Sequence, residues 1–205
     1  MKRLIAVAAV VAALTIVGTS AAALVPGVYD PGNTGCVNAT FSNGVLHLEK
    51  NCPTATNAAA GADITGPEGQ SFASASFTLA STSQCQGGSP RFDVQTTTGF
   101  FFLGCNNVIP VGNTYTFNAA TIAAGGNQVP VPTGNIVSIS VLIDVQGTAD
   151  LTDITVNGQL QVPAIPMTKD DCKNGGWQTF VSPAFKNQGD CVSWVATKGK
   201  NAPNG

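Results

Sequence analysis

From Val28 to Val162 the chain is built of short runs in which apolar and polar residues alternate. Clusters of Gly, Asn and Pro break these runs roughly every 10–15 residues. No stretch in this region sustains a 3.6-residue apolar period long enough for a substantial helix. The pattern predicts an all-β antiparallel sandwich, in which each strand buries every second side chain.

The parity of individual runs assigns faces. In CVNATFSNGVLHLEKNC a two-residue turn at Asn43-Gly44 pairs Phe41 with Leu46, Ala39 with Leu48 and Val37 with Lys50 on the inner face. Thr40 then opposes His47, and Asn38 opposes Glu49, on a polar outer face. His47, the chain's one histidine, is therefore expected to be a solvated strand residue. In SPRFDVQTTTGFFFLGC a turn at Thr98-Gly99 pairs Thr96 with Phe101, Val94 with Leu103 and Phe92 with Cys105. The outer face of that hairpin carries Arg91, Asp93 and Gln95, with Phe100 and Phe102 alongside on the partner strand.

SFASASFTLAS places Ala73, Ala75, Phe77 and Leu79 on one face, and NTYTFN centres a short strand on Tyr115 and Phe117. IVSISVLIDV turns Val137, Ile139, Val141, Ile143 and Val145 inward. In DITVNGQLQV a three-residue loop preserves the alternation by pairing Val156 with Leu160 and Ile154 with Val162. The expected sandwich spans 24–162.

Beyond it, Pro163 and Pro166 make a stiff linker over 163–167. The segment 168–198 differs in character. Thr168–Asp171 fits a capping box, Gly175-Gly176 ends the first helical turn, and a second helix starts near Asn187 with Cys191, Val192 and Val195 on one side. Both of the chain's tryptophans, Trp177 and Trp194, lie here. The expectation is a short disulfide-bracketed helical cap, with the tryptophans packed inside it or onto the sandwich, and a disordered polar tail over 199–205.

The opening residues 1–23 carry two basic residues, an apolar run and an Ala21-Ala22-Ala23 exit, the layout of a cleaved signal peptide. The uncharged run from Leu4 could also span the ~30 Å of a bilayer as a helix, but its small-residue exit favours cleavage. A secreted, extracellular location with no membrane span after cleavage follows. In that oxidising setting the six cysteines read as disulfides. Among the 15 pairings allowed, proximity selects Cys36–Cys52, Cys85–Cys105 and Cys172–Cys191, each worth about 3 kcal/mol on the chain-entropy account. Only 10% of residues are charged and the formal net charge is −2, which excludes a nucleic-acid partner held by phosphate contacts.

Catalytic patterns are missing. There is no G-x-S-x-G elbow, no phosphate loop and no thiol left over for nucleophilic attack. The outer face of the 89–105 hairpin is the candidate ligand site: Arg91, Asp93 and Gln95 project together beside Phe100 and Phe102. Aromatic faces flanked by fixed polar groups suit a sugar ring, which stacks through its C–H face and hydrogen-bonds through its hydroxyls. The alternative is a surface ion pair between Arg91 and Asp93, with the phenylalanines covered by the cap or a loop. Structural calcium is a further candidate at Asp144, Asp150 and Asp153. Asn38-Ala39-Thr40 matches a glycosylation sequon.

The tail's C-K-N-G-G-W … F-K-N-Q-G-D-C-V resembles a cysteine-bracketed C-terminal motif of exported bacterial proteins, over about Asp170 to Val195. GSPRFDV, the Phe-rich strand with Gly-Cys, and D-I-T-V-N-G are similar to the sandwich that accompanies this tail. ADLTDITVNG also resembles the last strand of jelly-roll modules of the galactose-binding and carbohydrate-binding type. The resemblance implies a jelly-roll-like sandwich, and no activity comes with the tail motif. The resulting expectation is a secreted non-enzymatic binding or surface-structural protein with an extracellular glycan as partner. A glycan-active hydrolase and a purely structural envelope protein are the alternatives.

Overall fold

A computed structural model describes residues 23–42, 44–163, 165–166, 169–170, 172–180, 183–201 and 203. Of the leader expected over 1–23, residues 1–22 lie outside the described residues and Ala23 opens the first strand; the turn residue Asn43, and Thr168 and Asp171 of the expected capping box, also lie outside them. Among the described residues twelve strands form two six-stranded sheets. The strands are β1 (Ala23–Tyr29), β2 (Val37–Ser42), β3 (Val45–Lys50), β4 (Ala59–Thr65), β5 (Ala75–Leu79) and β6 (Arg91–Thr96). After them come β7 (Gly99–Gly104), β8 (Thr114–Phe117), β9 (Ile136–Ile143), β10 (Gly147–Val156), β11 (Gln159–Leu160) and β12 (Val162–Pro163).

One sheet runs β12-β1-β4-β9-β6-β7, and the other runs β2-β3-β10-β5-β8 with β11 added to β10. Within this order β3-β10-β5-β8 faces β4-β9-β6-β7. Numbered from β3 to β10, these are strands 1-8-3-6 against 2-7-4-5, the eight-stranded jelly roll. Strands β1 and β2 widen one edge of each sheet. The pairings are antiparallel apart from the two-residue contact of β1 with β12.

Alternation builds the core. Phe77, Phe92, Phe117 and Tyr115 meet between the sheets with ring centroids 5.5–5.7 Å apart, and the phenylalanines are completely buried. Truncating any one of them to Ala removes about 3–5 kcal/mol of packing. All three expected disulfides form: Cys36–Cys52, Cys85–Cys105 and Cys172–Cys191.

The first hairpin has the expected register at every pair from Val37↔Lys50 to Phe41↔Leu46. The second is displaced by two residues. Thr96 pairs with Gly99, Val94 with Phe101 and Phe92 with Leu103, so the turn is Thr97-Thr98 and not Thr98-Gly99. Threonine hydroxyls hold that turn. Thr98 N–H donates to Thr96 Oγ1 at 3.2 Å, and Thr98 Oγ1 donates to Thr133 O at 2.7 Å. A two-residue shift leaves each side chain on its face but moves Phe102 beside Asp93 and Phe100 beside Gln95.

Three other readings change. A register shift where β9 meets Thr96 buries Ile136 and leaves Val137 47% exposed, while Ala73 precedes β5 and is exposed. Asn157-Gly158 forms a two-residue turn with both residues at positive φ, pairing Val156 with Gln159. The three-residue loop is unnecessary because β11 sits outside the core, with Leu160 more than half exposed. A short helix, α1 (Ala119–Ala124), capped by Asn118, was not visible in the apolar periodicity.

The C-terminal segment has its own apolar cluster, with Cys172, Phe185 and Cys191 buried and Trp177, Phe180 and Trp194 packed against them. Phe185 lies edge-on to both Phe180 and Trp194. Gly175-Gly176 opens a 3₁₀ turn (Gly176–Thr179) instead of closing a helix, because Gly175 takes the left-handed conformation. Helix α2 (Gln188–Ala196) starts at Asn187, whose side chain accepts from Asp190 N–H at 2.9 Å. Of the expected disordered tail, 199–201 bonds back to α2: Gly199 N–H reaches Trp194 O at 2.9 Å, and Asn201 Nδ2 reaches Ser193 Oγ at 3.0 Å.

Candidate functional site

Strands β6 and β7 form the free margin of the first sheet, and their outward side chains gather the expected group. The pairs Asp93↔Phe102 and Gln95↔Phe100 put each aromatic ring directly across from a polar partner. Phe100 and Phe102 are 65% and 54% exposed, so neither is buried beneath another segment. The tryptophans contribute instead to the cap's own cluster.

Arg91 organises the polar half. Its Nε donates to Asp93 Oδ1 at 2.6 Å, with Nη2 at 3.4 Å from Asp93 Oδ2, and its Nη1 donates to Asp144 Oδ2 at 2.5 Å. The guanidinium carbon lies 5.5 Å from the centre of the Phe102 ring, within cation–π range. Ser89 Oγ completes the Asp144 carboxylate at 2.7 Å. Gln95 Oε1 accepts from Ser138 Oγ at 3.3 Å on β9. The guanidinium is thus fixed and its charge is balanced locally.

The electrostatics agree with the geometry. Burial by itself would push the Asp144 carboxyl up. Hydrogen bonds from Arg91 and Ser89, together with the Arg91 charge, hold it below the ordinary value near 3.8. For Arg91, burial pulls the value down, but the two carboxylates raise it overall. A carboxyl held ionised in this way does not serve as the proton donor that glycoside hydrolysis requires.

Sequence reasoning missed two contributors. Lys50 is 1% exposed, and its Nζ donates to Thr54 O at 3.2 Å, Thr56 O at 2.7 Å and Asp144 O at 2.7 Å. It therefore ties the loop after β3 to the residue that holds Arg91. The available signal was a lysine at an inner position of an alternating strand. The second contributor is Tyr29 on β1, 58% exposed on the same outer face. It lines a cleft of about 500 Å³ with Arg91, Asp93, Asp144 and the 54–58 loop.

The three carboxylates considered for calcium do not converge. Asp144 engages Arg91 and Ser89, Asp150 engages His47 at 2.7 Å and Gln84 at 3.2 Å, and Asp153 accepts from Thr152. Among the described residues no three His, Cys, Asp or Glu side chains cluster as metal ligands. His47, expected to be simply solvated, is half-exposed and paired across the strands with Asp150. Comparison with protein-family models, with curated proteins and with solved structures finds no match.

Proposed function

We propose that this is an exported, non-enzymatic binding protein that holds extracellular carbohydrate on the outer face of β6 and β7. The observation that carries the reading is the exposed pair Phe100 and Phe102, each set beside a polar side chain that is already oriented. A sugar ring offers a C–H face to the phenyl ring and hydroxyls to Asp93, Gln95 and the rim of Arg91. Exposed phenylalanines on a strand face cost solubility, and a ligand that covers them accounts for their presence. Export is supported by the pairing of all six cysteines and by the leader-like opening of the sequence. Among the described residues no helix is long and apolar enough to cross a membrane.

Binding without turnover is supported by the way Arg91 engages Asp93 and Asp144. The test is retention on an array of polysaccharides, combined with a reducing-sugar assay. Wild-type protein should be retained without releasing sugar. Phe102→Ala and Arg91→Ala should each weaken retention by about tenfold, the equivalent of one lost stacking or orienting contact. Retention that survives both substitutions would place binding elsewhere, and sugar release would make the protein a hydrolase.

A further inference from the structure

The outer face of the first sheet does not end at Arg91. Cross-strand pairing carries one row from Arg91 through Leu142 on β9 to Gly61 on β4 and Gly27 on β1. The neighbouring row runs Phe102, Asp93, Ser140, Asp63 and Val25. Two glycines in the middle of adjacent strands weaken a sheet unless something must approach the backbone there. At Gly61 a Cβ would sit 2.7 Å from both Leu142 Cβ and Val141 O, so the absence of a side chain lets β9 and β4 close up beneath a shallow floor. At Gly27 a Cβ would meet nothing within 4 Å, so that position is empty space above the sheet.

The result is a trough of about 210 Å³ over β1, β4 and β9, floored by Gly27, Gly61 and Leu142. It shares Tyr29, Ala59 and Leu142 with the larger cleft that reaches Arg91. Tyr29 stands at the β1 side, and Phe102 stands at the β7 side with Arg91 over its ring. Four strand spacings, roughly 19 Å, separate β7 from β1, and Tyr29 lies four residues along β1 from the row of Phe102, so the two aromatics stand roughly 23 Å apart on a diagonal across the sheet.

The charges narrow the ligand class. Asp63, Asp93 and Asp144 present three carboxylates on this face. Among the described residues the one outward cation on this face, Arg91, is already engaged by two of them. Asp63 makes no ion pair among the described residues and stays exposed. A uronate or sulfated chain would bring further negative charge to a face where, among the described residues, no unengaged cation stands to receive it.

Building on the carbohydrate reading of the β6–β7 face, we propose that the ligand is an extended, uncharged polysaccharide chain lying across the strands. It runs diagonally from Phe102 over Arg91 and the Gly61–Gly27 floor to Tyr29, a path of about five sugar units if each is about as long as one strand spacing. Calorimetry with neutral oligosaccharides from disaccharide to hexasaccharide tests this, with oligogalacturonates of the same lengths as the charged series. Wild-type affinity should climb with length to about the pentasaccharide and then level off. Gly27→Leu fills the trough at a position with room for it, and Tyr29→Ala removes the far ring. Each should cost about tenfold for the pentasaccharide and leave the affinity for a disaccharide held beside Phe102 unchanged.

Length-independent affinity, oligogalacturonates bound as tightly as neutral chains, or a pentasaccharide affinity untouched by both substitutions would overturn the inference. In those cases loss of binding in Phe102→Ala would leave the β6–β7 reading standing. No binding of any sugar by the wild type would overturn both.

Discussion

Lys50 occupies an inner position of β3, opposite Val37, where alternation calls for an apolar side chain. Its ammonium is satisfied by three backbone carbonyls, and no carboxylate pairs with it among the described residues. The side chain therefore acts as an internal tie for the 54–58 loop, one wall of the cleft. Lys50→Met keeps the stem and removes the donors, leaving three inward carbonyls to find water. The expected loss is about 2–4 kcal/mol, read as a lower urea midpoint.

Asp144 belongs to the same tie through its carbonyl and to the proposed ligand face through its carboxylate. Its folded-state value lies below the ordinary one near 3.8. The carboxylate thus adds stability above that ordinary value, and the contribution is lost as the pH falls through the lower folded value. Melting temperatures between pH ~5 and ~2 should fall steeply in the wild type. In Asp144→Asn they should start lower and fall less, and parallel curves would contradict the assignment.

At the level of elements, parity along a strand is strongly legible and register is less so. The first hairpin could be read pair by pair because any odd shift would turn Leu46 and Leu48 to solvent. The second shifted by two because an even shift preserves every face, and only the threonine hydroxyls at the turn choose between the two registers. Bulges escape such a reading for a different reason, because an inserted residue reverses the alternation within one run. Strand β10 buries Ala149 and Leu151, then Ile154 and Val156, and this change of parity is absorbed at Thr152-Asp153, where the register against β5 shifts. Asp153 takes positive φ there, a conformation a β-branched residue resists. Asp153→Gly should be near neutral, whereas Asp153→Val should cost about 1–2 kcal/mol in chemical unfolding. Of the candidate site, the five residues on β6 and β7 could be found from alternation alone. Lys50 and Tyr29 could not, because their roles depend on which strands become neighbours.

For the molecule as a whole, the jelly roll leaves one sheet face with exposed aromatics, and both tryptophans are sequestered in the C-terminal cluster. Indole fluorescence therefore reports on the cap alone. Removing the Cys172–Cys191 bridge with a Cys172→Ser/Cys191→Ser double substitution should shift that emission to the red. The strand signal in circular dichroism and the retention on polysaccharide should both be unchanged. A loss of retention would mean that the cap contributes to the ligand face.

The most direct measurement is an NMR titration of the folded protein with a neutral tetrasaccharide, following the ring signals of Phe100 and Phe102, the Arg91 Nε–H and the two indole N–H groups together. Ring and guanidinium resonances should move in step with the sugar while the indoles stay in place. Saturable binding that moves only the indoles, or leaves both phenylalanines unperturbed, would contradict a ligand face on β6 and β7.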